Sequence, residues 1–92
     1  MVDKARAQIT INGQVQGVFF RLRAQEEAQK LGLTGWVKNN ADGSVLALVE
    51  GKKDVIAQFI IWCQQGPKQS QVSGTEIAWQ PFTGEFKDFN II

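Results

Sequence analysis

Residues 13 to 21 read GQVQGVFFR, and nothing in that stretch can attack a substrate. Two glycines, two glutamines, four apolar residues and one arginine are present, with no serine, cysteine, histidine or acid. Such a segment suits holding rather than nucleophilic work. Between the end of a strand and the start of a helix, a glycine-framed loop turns successive main-chain N–H groups inward. The helix behind it adds unpaired donors and the positive end of its dipole. That is a cradle for an oxyanion, and Gly13 and Gly17 allow backbone angles and close approaches that a Cβ forbids. Arg21 follows in the first helical turn, where the dipole disfavours a cation unless an anion lies between them. Its planar fork of donors suits phosphate oxygens held at two points. Plainer roles stay open: Arg21 as a surface cation pairing with Glu26 or covering apolar surface, and the two glycines as turn residues only.

The spacing excludes nucleotide loops, because neither GxxxxGK[ST] nor GxGxxG occurs. The chain has no histidine, which removes the usual general base near neutral pH and the commonest metal ligand. Its one cysteine, Cys63, excludes an internal disulfide or a thiolate metal cluster, and its place on an apolar helical stripe marks it as a small buried hydrophobe. Asn39 stands at a predicted strand end, where turn formation is the local explanation. A second role, orienting a water with an uncharged side chain, needs a fold that brings it to the loop.

The elements that must position these residues follow from periodicity. Ala5, Ala7, Ile9 and Ile11 alternate with Arg6, Gln8, Thr10 and Asn12, the period-two pattern of a strand that runs into Gly13. From Phe20 the spacing turns helical, with Phe20, Ala24, Ala28 and Leu31 inward and Arg23, Gln25, Glu26, Gln29 and Lys30 mostly toward water. Gly32 and Leu33 supply a Schellman stop. TGWVKN (34 to 39) reads as a strand, NNADG (39 to 43) as a turn, and SVLALVEG (44 to 51), apolar on both faces, as a central strand. Val55, Ile56, Phe59, Ile60, Trp62 and Cys63 mark a second helix ended by Gly66 and Pro67. A strand over about 72 to 80, broken by Pro81, and a short edge strand with Phe89 and Ile91 on one side complete the chain. The three tryptophans and six phenylalanines are expected in the core. The order βαββαβ predicts an α+β, ferredoxin-like split βαβ sandwich: an antiparallel sheet of four to five strands with two helices on one face. Residues 1–92 form a single expected domain.

Ten Lys+Arg against nine Asp+Glu leave a net charge of +1, so nucleic acid and anionic membranes are poor partners. The polar start MVDKARAQ argues against a secretory leader and the longest apolar run is too short for a bilayer, so a cytoplasmic protein is expected; a monomer is expected separately.

Taken together, GQVQGVFFR at 13 to 21, GLTGWVKN at 32 to 39, DGSV at 42 to 45, GP at 66 and 67 and F-x-I at 89 to 91 resemble the acylphosphatase family, in order and over nearly all of the chain. The resemblance implies hydrolysis of acyl phosphates, the mixed anhydrides of a carboxylic acid and phosphate, without metal or organic cofactor. Inorganic phosphate is then product and competitive inhibitor. By motif position the catalytic arginine falls on Arg21 and the water-orienting asparagine on Asn39. The phosphate-binding loop falls on Gln14, Val15, Gln16, Gly17, Val18 and Phe19. Gln14 stands where many relatives have Arg or Lys, and Ala24 where several have a hydroxyl residue, differences that bear on tuning.

The alternative is a non-catalytic ferredoxin-like module for an RNA or protein partner. RNA recognition motifs stack bases on aromatic residues of central strands, and SVLALVEG has none. Domains resembling acylphosphatase also begin larger carbamoyl-transfer proteins, but this chain shows no linker or zinc cysteines.

Overall fold

The alternation that begins at Ala5 forms the longest strand, β1 (Lys4–Gln14), in a computed structural model that describes residues 3–92. After it come α1 (Phe20–Lys30), β2 (Thr34–Asn39), β3 (Val45–Lys52), α2 (Lys53–Gln65), β4 (Gln71–Gln80) and β5 (Phe89–Ile91). The strands make one five-stranded sheet in the order β4-β1-β3-β2-β5. β3 is central, as its apolar residues on both faces predicted.

The inward face of the sheet is read directly from the period-two pattern. Ala7, Ile9 and Ile11 pair across to Val49, Ala47 and Val45, and all six are buried beside Val37. Both helices lie on this face. α1 buries Phe20, Ala24 and Ala28, and α2 buries Ile56, Phe59 and Cys63. Phe59 meets Phe89 edge-on, with ring centroids 6.0 Å apart. The Schellman stop forms as the sequence indicates: Gly32 N–H donates to the Gln29 carbonyl and Leu33 N–H to that of Ala28.

Two expectations are corrected. The sheet is mixed, because β5 runs parallel to β2 while the other three pairings are antiparallel. β4 and β5 lie on opposite edges, so residues 81–88 must cross beneath the whole sheet, and a chain arriving from that end can only enter β5 alongside β2. The aromatic residues are also not all core: Phe19, Trp79 and Phe82 are 69%, 45% and 40% exposed. Trp79 and Phe82 carry the ammonium groups of Lys53 and Lys4 over their rings at 5.2 and 5.3 Å, an arrangement that suits a half-wet aromatic.

The crossing segment explains a buried acid. Glu50 lies on the face of β3 away from the helices, yet is only 1% exposed. Its carboxylate accepts hydrogen bonds from Arg6 Nε at 2.9 Å, from the Thr83 amide and hydroxyl, and from the Gly84 amide. Arg6 also pairs with Glu85. Burial pushes the Glu50 carboxyl up, but the bonds from Thr83, Arg6 and Gly84 outweigh it and hold it below its ordinary value of 4.5. The folded protein therefore binds this proton less readily than the unfolded chain. The stabilisation is present above pH 4.5 and is lost as the pH falls through the folded value. The urea midpoint should drop as pH is lowered below 4.5. Glu50→Gln should be less stable at neutral pH by about 3 kcal/mol, since one partner of a buried pair is removed, and should show a shallower acid drop. An equal acid dependence in the variant would disprove the assignment.

Candidate active site

β1 ends at a bulge. Its register against β4 shifts between Asn12 and Gly13, and Gly13 has φ +126° with a notional Cβ only 2.1 Å from the Gln71 carbonyl oxygen. No other residue fits there, so Gly13 sets where the chain leaves the sheet. Gly17 has φ +76° with open space around it, and its need for glycine is one of backbone angle alone. Phe19 is also left-handed, at φ 62° and ψ 22°, and is the residue on which α1 begins.

Residues 16–19 form the turn that leads from β1 into α1. The first helical bond runs from Arg23 N–H to the Phe19 carbonyl at 3.0 Å. The first turn contains no acidic residue and α1 has no side-chain cap. The positive helix end and the adjacent guanidinium of Arg21 are thus uncompensated, which is unfavourable without an anion.

The sequence left two roles open for Arg21, and the local pairing narrows them. Glu26 is taken by Arg23, Nη1 to Oε1 at 2.9 Å, and among the described residues Arg21 has no ion pair. Arg21 is half-buried and lines a cavity of about 260 Å³ together with Val15, Gly17, Phe19 and Asn39. Gln14, Gln16 and Val18 do not line it. Gln14 is the last residue of β1, paired with Gln71, and Val18 packs against the core.

Gln16 has a positioning role that its residue type did not announce. Its Nε2 donates to the carbonyls of Asn40 and Ser44 at 2.7 and 2.9 Å. This fastens the loop to the turn between β2 and β3. That turn is itself braced, with Asp42 Oδ1 accepting from the Ser44 amide and hydroxyl, and Asn40 Nδ2 donating to Ser44 Oγ. The bonds from Ser44 hold the Asp42 carboxyl below its usual range.

Asn39 reaches the loop across an intervening strand. Ile11, Val45 and Asn39 stand in one row over β1, β3 and β2, so Asn39 is two strand spacings, about 10 Å, from β1. The loop curls over the start of β3 to meet it. Asn39 Oδ1 is buried and has no hydrogen-bond partner among the described residues, whereas buried acceptors in folded proteins are ordinarily satisfied.

Three residues of the cavity were not foreseen: Phe20, Leu22 and Ile91. Leu22 carried a readable sign, as an apolar residue off the buried stripe of α1. Ile91 carried none, since its approach depends on β5 docking beside β2, where Gln25 and Gln29 of α1 both donate to the Phe89 carbonyl. Cys63 is fully buried, and burial, reinforced by the negative charge of Glu27, pushes its thiol up. It is no nucleophile at neutral pH.

A model of the acylphosphatase family matches residues 7–91. The chain is 48% identical over 88 residues to an acylphosphatase of Geotalea uraniireducens, covering 96% of this chain and 97% of that one. It is 41% identical over 90 residues to an acylphosphatase of Pelotomaculum thermopropionicum, covering 98% of each. The crystal structure of acylphosphatase from Bacillus subtilis superposes with a TM-score of 0.92 at 34% identity, over 96% of this chain and 98% of that chain. Both the glycine-framed loop and the sheet that carries it fall inside these matches, and the chain belongs to the acylphosphatase family, enzymes that hydrolyse acyl phosphates.

Proposed function

We propose that the enzyme cleaves acyl phosphates by clamping the phosphoryl group between Arg21 and main-chain amides of the loop that brings Val15, Gly17 and Phe19 to the cavity, with the attacking water held by Asn39. The observation that carries this reading is the pairing, in one cavity, of a guanidinium and a buried carboxamide oxygen that, among the described residues, have no ion pair and no hydrogen-bond partner respectively. Each lacks what a bound phosphoryl group and its water supply.

Phosphoryl transfer asks mainly for positioning and charge stabilisation. The amides and Arg21 neutralise the phosphoryl oxygens, Asn39 Oδ1 accepts a hydrogen bond from the water, and the water oxygen bonds to phosphorus as the bond to the acyl oxygen breaks. The leaving group is a carboxylate whose conjugate acid has a pKa of about 4, so it departs without a proton. The water's proton passes to a phosphoryl oxygen, and the products are carboxylate and inorganic phosphate. No histidine is required, and the chain has none. The proposed working unit is the whole chain as one cytoplasmic domain and a monomer, for which sizing chromatography should return a mass near 10.2 kDa.

The test is phosphate release from benzoyl phosphate with inorganic phosphate as competitor, followed across pH. Neither a guanidinium nor a carboxamide titrates near neutrality, so kcat should stay within about twofold from about pH 5 to 8. Inhibition by phosphate should be competitive. A steep bell in that window would require a base that this reading lacks.

A further inference from the structure

We infer that Phe19, Leu22 and Ile91 form an acyl subsite that favours acyl phosphates with an apolar chain longer than acetyl. This rests on the phosphoryl group being held by Arg21 as proposed above. Of the seven large apolar side chains exposed among the described residues, these three, from the loop, α1 and β5, line this one cavity. They are 69%, 42% and 37% exposed.

Phe19 is the most telling of them. A bulky aromatic residue in left-handed conformation is a strained choice, and Asn tolerates the same angles at lower cost. The position is also a helix cap, where Phe offers no hydrogen bond and makes none. Trp79 and Phe82, the other exposed rings, each lie under a lysine, whereas Phe19 has neither an aromatic nor a cationic partner among the described residues. Strain, exposure and lack of a partner coincide where a substrate's acyl part would lie.

The cavity has room for that part. At about 260 Å³ it exceeds a phosphoryl group, whose bulk of two or three waters at ~30 Å³ each fills about a third. Its remaining walls offer apolar surface from these three residues, and among the described residues Arg21 is the one charged side chain that lines it. A polar or charged acyl group, or a carbamoyl group, gains nothing from such walls.

The alkanoyl series acetyl, butanoyl and hexanoyl phosphate separates binding from leaving-group quality, because the released carboxylates differ little in basicity. For the wild type, kcat/KM should rise about tenfold or more from acetyl to hexanoyl phosphate, in keeping with the discrimination a methylene supplies in an apolar pocket. Phe19→Asn, Leu22→Asn and Ile91→Asn should each cut that hexanoyl-to-acetyl ratio about threefold or more. Ile61→Asn, also an exposed apolar site but outside the cavity, should leave the ratio unchanged. Phe19→Asn should also raise the urea midpoint by relieving the left-handed strain, which excludes misfolding as the cause of its lower ratio. A flat series in the wild type, or ratios in the three variants equal to that of Ile61→Asn, would overturn the subsite. Inorganic phosphate measured alongside separates the two ideas. If it fails to compete in the wild type, the phosphoryl site itself is misplaced; if it competes and the series is flat, only the acyl subsite is wrong.

Discussion

Replacing Arg21 by alanine is expected to lower kcat/KM for benzoyl phosphate by about 10³ or more, the upper end of what removing one preorganised charge-stabilising donor costs. The loss should fall on both binding and rate, because a guanidinium that grips phosphoryl oxygens does so in the ground state and more tightly as charge develops. The inhibition constant of inorganic phosphate should rise in parallel. Arg21→Lys should recover little, since an ammonium is a point charge and cannot present two parallel donors. Stability should move the opposite way. Arg21 stands in the first turn of α1 with no acid nearby, so its removal should stabilise the free enzyme by about 0.3–1 kcal/mol. A variant that keeps activity within tenfold of wild type, or that loses activity only because it unfolds, would refute the assigned role.

Asn39→Ala carries the second large effect, with a different signature. We expect kcat to fall by about 10² to 10³, while phosphate inhibition changes by less than about threefold, because the proposed partner of Asn39 is the attacking water rather than the phosphoryl group. The free protein should be no less stable than wild type. A buried acceptor left without a partner costs about 1–3 kcal/mol, and Asn39 Oδ1 is such an acceptor. Alanine removes that penalty. Unchanged kcat accompanied by lost stability would instead mark Asn39 as a residue of the turn between β2 and β3.

In both variants activity and stability are expected to part, and the cause is the same. An uncompensated cation at a helix start and an unpaired buried oxygen are each unfavourable in the empty protein and favourable only with substrate present. Gln16 belongs to a separate class, because its two bonds to the turn hold the loop against β2 and β3 without lining the cavity. Two glutamines in one nine-residue loop looked alike in sequence. Their different fates follow from the bulge at Gly13, which leaves Gln14 in the ladder and carries Gln16 over the sheet end.

Much of the molecule was legible from residue type and spacing, because those report which way a side chain faces within its own element. The period of two placed Ala7, Ile9 and Ile11 on the inner face, the helical period placed Phe20, Ala24 and Ala28, and Gly32 ended α1 where it does. Arg21 beside a glycine-framed loop, and Asn39 at a strand end, were picked out on the same local chemistry together with the family likeness. What the tertiary structure alone decided were contacts between segments far apart in the chain. The parallel docking of β5, the burial of Glu50 beneath residues 81–88, the entry of Ile91 into the cavity and the reach of Asn39 past β3 all depend on where a connection crosses the sheet. Periodicity carries no information about such crossings, because it is a property of one segment and they are a property of how the sheet's edges and ends must be covered.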